Sequence, residues 1–152
     1  MITVYNLIKL LHILLAIVAV GFNASYAIWI ARAARESQHM SHVLRGIKFL
    51  DDWLANPGYG LLLVTGLAMV FVGNWPLTTF WIAAALVLWF VVLVLGIGFY
   101  TPTLRRQIAV LDERGAASDE FQRLSRRATV VGLVTMVPIL LILFLMVVKP
   151  TL

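Results

Sequence analysis

VYNLIKLLHILLAIVAVGFNASYAIWIA, residues 4–31, is an apolar run with Lys9, His12 and Asn23 as its interruptions. About 20 mostly apolar residues suffice for a helix to cross about 30 Å of hydrocarbon, so this stretch is long enough to span. It exceeds the roughly 7–15 apolar residues of a signal peptide. Residues Met1 to Asn6 carry no basic side chain, and no convincing small-residue cleavage site follows. The segment is therefore expected to stay in the protein as a spanning helix.

Three further runs repeat the pattern: about Pro57 to Val72, about Thr79 to Thr101, and about Ala128 to Val148. The second is short, so either it begins before Pro57 or it sits in a locally thin bilayer. Pro138 lies inside the fourth and is expected to kink it, which membrane helices tolerate. Hydrophobic residues make up 62% of the 152-residue chain and charged residues 12%. A soluble domain of this size needs more polar residues to cover its surface. Composition thus excludes a water-soluble enzyme, a disordered chain and a nucleic-acid-binding module. The expected fold is all-α, a polytopic four-helix membrane bundle in one domain, residues 1–152, its spans joined by segments 32–56, 73–78 and 102–127. With no cysteine, disulfides, thiolate metal sites, iron–sulfur clusters and cysteine nucleophiles are excluded.

Ten of the twelve Lys and Arg residues fall in segments 32–56 and 102–127, and none in 73–78. Basic residues are retained on the cytoplasmic side, so the two long segments are expected inside and both termini outside. The same asymmetry accounts for the net charge of +5. Lys9 and Lys149 would snorkel to the outer interface. Trp29, Trp53, Trp75 and Trp81 lie near span ends, where an aromatic belt belongs. Leu104, Ile108 and Leu111, then Phe121 and Leu124, recur at helical spacing with Gly115 as a break. Residues Thr103 to Arg114 and Ser118 to Arg127 are thus expected to extend the third and fourth spans as helices, and Ser41 to Phe49 to form a short interfacial helix. Asp51 and Asp52 are expected to cap a helix or pair with Arg126 and Arg127.

Tyr5, Lys9, His12, Ala16, Ala19, Asn23 and Tyr26 follow steps of four, three, four, three, four and three. All seven share one helix face, and such a stripe should turn away from lipid. His12 then lies about 12 Å inside the outer end at 1.5 Å per residue. An ionisable group at that depth is costly and marks a candidate site; His39 and His42 fall outside the spans. Three readings follow. His12 is an axial ligand in a haem- or porphyrin-binding protein, with Asn23 and Lys9 lining the pocket. Alternatively it is a structural hydrogen-bonder in a non-catalytic membrane subunit. In the third reading the chain is a small transporter or permease, although no second buried acid or base accompanies His12 to form a proton relay. Gly58, Gly60, Thr65, Gly66, Gly96, Gly98, Thr129 and Gly132 allow close backbone approach in the bundle, and a homodimer through these faces is compatible with them.

The opening Tyr5-Asn-Leu-Ile-Lys9-Leu-Leu-His12-Ile-Leu, followed by Gly21, resembles a bacterial membrane family of unknown function, domain-of-unknown-function group 2269. That family is in turn similar to the membrane protoporphyrinogen oxidases of haem synthesis and the copper-resistance D-type proteins. The resemblance implies a bacterial cytoplasmic (inner) membrane location and a haem b ligand at His12, which matches the histidine of a Lys-Ala-Leu-His type start in the oxidases. The Asn56-Pro57 to Thr65-Gly66-Leu67 stretch resembles their second helix. Where the oxidases have a lysine early in the third helix, this chain has Ala85. The resemblance therefore carries the haem ligand but leaves the oxidation without its lysine. With no cysteine and no histidine pair in the outer half, copper handling lacks its ligands. Within one chain, ligation by two span histidines fails, since only His12 is available. Histidine–methionine ligation is chemically reasonable, with Met69 or Met136 each about 6–8 Å from the depth of His12. A five-coordinate haem, or His12 from each of two subunits, is a further arrangement.

Overall fold

A computed structural model describes residues 3–150. Four long helices follow one another: α1, Val4–Ala33; α2, Ser37–Val72; α3, Phe80–Arg114; and α4, Asp119–Val148. Each is long and apolar enough to cross a membrane, and no strand occurs among the described residues. The start of α1, the end of α4 and the α2–α3 turn lie at one end of the bundle, here the terminal end. The two arginine-rich connections lie at the other, the basic end.

Helix starts and stops follow local chemistry. Thr3 caps α1 by accepting from the Asn6 amide at 3.3 Å, and Ser118 caps α4 by accepting from the Phe121 amide at 3.3 Å. Gly115 ends α3 with φ of 78°, a left-handed value that a side chain would disfavour. Residues 41–49 form no separate interfacial helix but run unbroken into the second span within α2. The stretches after Thr103 and Ser118 are helical extensions of α3 and α4, as their spacing indicates.

Both inner helices contain a widened, π-type turn: Asp51–Ala55 in α2 and Val94–Tyr100 in α3. Each is followed, one residue later, by a proline, Pro57 and Pro102. A proline inside a helix lacks an amide donor, and its ring collides with the carbonyl four residues back. Widening the preceding turn moves that carbonyl aside and lets the helix continue.

The bundle is two hairpins, α1 on α2 and α3 on α4. At the basic end they share a core of Tyr26 and Ala33 from α1, Met40, Leu44 and Ile47 from α2, Leu104 and Val110 from α3, and Phe121 and Leu124 from α4. At the terminal end Val70 of α2 meets Trp81, Ile82 and Ala85 of α3 and Leu145 of α4. Between these cores the Trp89 indole of α3 donates to the Tyr59 carbonyl of α2 at 3.2 Å. Large apolar side chains such as Leu7, Ile17, Val87 and Leu133 face outward, as a lipid-facing surface requires.

Charges gather at the basic end, where Arg45 pairs with Asp112 at 2.6 Å and Glu120 bridges Arg106 at 2.9 Å and Arg114 at 2.6 Å. At the terminal end Lys149 sits 5.2 Å from the centre of the Trp81 ring and 5.8 Å from that of Trp75. The expected pairing of Asp51 and Asp52 with Arg126 and Arg127 does not form. Asp52 pairs with Lys48 one turn back, and Asp51 is buried. Within the widened turn Asp51 and Ala55 are the buried residues.

Candidate functional site

The polar stripe of α1 lies against α2. Ala19 is fully buried and Tyr26 3% exposed, while Tyr5, His12, Ala16 and Asn23 are half-buried. Small residues make this seam close. A Cβ added to Gly58 of α2 would touch that of Ala19 at 3.5 Å.

His12 sits in this seam. Its Nδ1 lies 2.7 Å from Thr65 Oγ1 on α2. The Thr65 hydroxyl has one hydrogen, and its best acceptor is the Leu61 carbonyl of its own helix at 2.7 Å. When that hydrogen stays on the Leu61 carbonyl, the threonine oxygen accepts from Nδ1 and the ring hydrogen sits there. Nε2 then presents a lone pair. It makes no hydrogen bond among the described residues, and it is not sealed, since the buried unpartnered side-chain atoms are Tyr26 Oη and Gln107 Oε1. The ring lies over Gly66, where a Cβ would stand 3.3 Å from Cε1. Thr65 thus bonds one nitrogen of the imidazole, and Gly66 lies beneath the ring.

The other candidates separate. Lys9 is exposed, one turn nearer the terminal end, with no hydrogen bond or ion pair among the described residues. Met69 is half-buried on α2 one turn beyond Thr65, about 6 Å along the axis. Met136 is half-buried on α4, in the other hairpin. Asn23 is eleven positions from His12, about 16 Å along α1. Its amide donates to the Ala19 carbonyl at 3.0 Å and to Tyr59 Oη at 3.2 Å. Asn23 thus ties α1 to α2 near the basic end, and the structure does not bring it to His12.

It belongs instead to a second polar group that the spacing did not reveal. Asp51, 4% exposed, accepts from Thr101 Oγ1 of α3 at 2.9 Å and from Asn56 Nδ2 at 3.3 Å. Tyr26, Tyr59 and Tyr100 lie in its neighbourhood. The two Xaa-Pro pairs, Asn56-Pro57 and Thr101-Pro102, were the available signal. Each proline widens the turn before it, and each Xaa side chain binds Asp51.

The profile of a family described as predicted integral membrane protein (DUF2269) matches residues 6–150. The chain belongs to that family. The DUF2269 match runs through all four helices and includes His12, Thr65, Gly66 and Asp51. No curated protein and no solved structure matches the chain. Among the described residues of this DUF2269 protein there is no cluster of three or more His, Cys, Asp or Glu side chains.

Proposed function

We propose that this integral membrane protein binds haem b or a related porphyrin with His12 as axial ligand. The observation that carries this reading is the division of labour on the imidazole: Nδ1 is bonded to Thr65, and Nε2 is left open. Histidines that ligate metals commonly give their other nitrogen to a hydrogen-bond acceptor that sets tautomer and orientation. Gly66 fits the same purpose, because its missing Cβ lets the ring lie against α2.

In this reading His12 holds the iron and Thr65 positions His12. Lys9, at the exposed edge of the seam, pairs with a propionate. Met69, one turn from Thr65, is the better placed of the two methionines for a sixth position. A bound haem would supply one-electron or small-ligand chemistry. The protein resides in the bacterial cytoplasmic membrane with both termini outside, following its arginine distribution.

The same 2.7 Å bond also supports a second reading, in which His12 only joins α1 to α2 in a non-catalytic subunit. Absorption spectroscopy separates the two. Protein purified from membranes and loaded with haemin is expected to show a Soret band that His12→Ala removes. A folded wild-type protein that takes up no haemin leaves only the structural role.

A further inference from the structure

Asp51 is buried in the centre of the basic-end core with only neutral hydrogen-bond partners. Both bonds, from Thr101 and Asn56, reach Oδ2. The cation on the same helix, Lys48, is paired with Asp52. The widened turn packs against α1 and its own helix, and Asp51 reaches α3 through Thr101. The titratable and charged groups around it are Lys48, Asp52 and Tyr59 on α2, Tyr26 on α1 and Tyr100 on α3. None of the three phenols bonds to it directly, and the Tyr26 hydroxyl is buried with no partner at all.

A buried carboxylate without a paired cation is strongly disfavoured, and two neutral donors offset only part of the loss of water. A proton removes the charge. Oδ1 is the oxygen for it: it has no hydrogen bond among the described residues, yet it is not among the sealed unpartnered atoms. A proton on Oδ1 leaves Oδ2 as the carbonyl oxygen that Thr101 and Asn56 donate to.

We propose that Asp51 is a proton-binding site, carrying an exchangeable proton at neutral pH. It is independent of the His12 reading and lies in a different part of the bundle.

Infrared difference spectroscopy of the full-length protein in lipid tests this. Wild type at neutral pH is expected to show a carboxylic-acid carbonyl band that shifts on exchange into deuterium oxide. The band should disappear in Asp51→Asn and fade as the pH is raised. Thr101→Val, which keeps the acid and removes a donor to Oδ2, is expected to shift the band and serves as a second variant if Asp51→Asn does not fold. The proposal is overturned if no such band is found at neutral pH. It is likewise overturned if Asp51→Asn instead removes an ionised-carboxylate band, or if Thr101→Val leaves the carbonyl band unmoved.

Discussion

Gly66 lies beneath the imidazole of His12, so that a methyl group at position 66 would stand 3.3 Å from Cε1. That is tighter than ordinary contact, and the ring would have to shift by a few tenths of an ångström. Alanine favours helix over glycine by about 1 kcal/mol, which offsets the crowding. Gly66→Ala is therefore expected to unfold within about 1 kcal/mol of wild type yet bind haemin more weakly. Thermal unfolding and haemin titration on one preparation would check this. Unchanged haemin affinity would place the ligand elsewhere.

Thr65→Val keeps the shape of the side chain and removes the acceptor for Nδ1. Interhelical hydrogen bonds in membranes contribute about 0.6 kcal/mol on average, with values up to about 1.7. A loss in that range is expected, while Thr65→Ser should retain most of the stability. The valine variant should also broaden the Soret band, because the ring of His12 is no longer held in one orientation. Equal spectra for the two variants would count against a positioning role.

Gly73 closes α2 where there is no room for a side chain. A Cβ there would meet Trp75 Cδ1 at 2.6 Å and the Met69 carbonyl at 2.8 Å. The carbonyl is backbone and cannot swing away. Gly73→Ala is expected to cost about 1–3 kcal/mol and to displace Trp75 from Lys149, read as a shift in tryptophan fluorescence.

Phe121 is 2% exposed in the core where all four helices meet. Truncating a buried phenylalanine typically costs about 3–5 kcal/mol. Phe121→Ala should therefore lower stability more than Leu133→Ala, whose side chain is 64% exposed. The midpoint of denaturation in a fixed detergent would rank them.

The chain has no cysteine, so single cysteines report sidedness without a background. In intact cells, Asn74→Cys is expected to react with an impermeant maleimide and Ser118→Cys only after permeabilisation. The reverse pattern would invert the proposed orientation.

Much of this architecture could be read from the order of residues because hydrophobic runs and helical spacing are local properties. The seven-residue stripe placed Ala19 and Tyr26 inside and His12 on the seam, with Lys9 alone fully outside. Asp51 was hidden for an equally physical reason. Reading faces by spacing assumes 3.6 residues per turn, and a π-type turn inserts an extra residue that rotates everything beyond it. Across Asp51–Ala55 the constant period fails, so Asp51 was read with Asp52 as a helix cap or a partner for Arg126 and Arg127. The partner of His12 was hidden differently: which glycine and threonine of α2 stand opposite depends on the relative height of two helices, which no single span encodes.

The seam between α1 and α2 has one further consequence. α1 packs chiefly on α2, and its buried side chains, Ala19, Tyr26 and Ala33, all lie from its middle toward the basic end. The imidazole is thus held at the margin of the bundle and not in its interior. A flat, greasy macrocycle dissolved among the acyl chains would reach it sideways, by displacing lipid and leaving both cores packed. Delivery from the bilayer, with no gate through the protein, is what this placement favours.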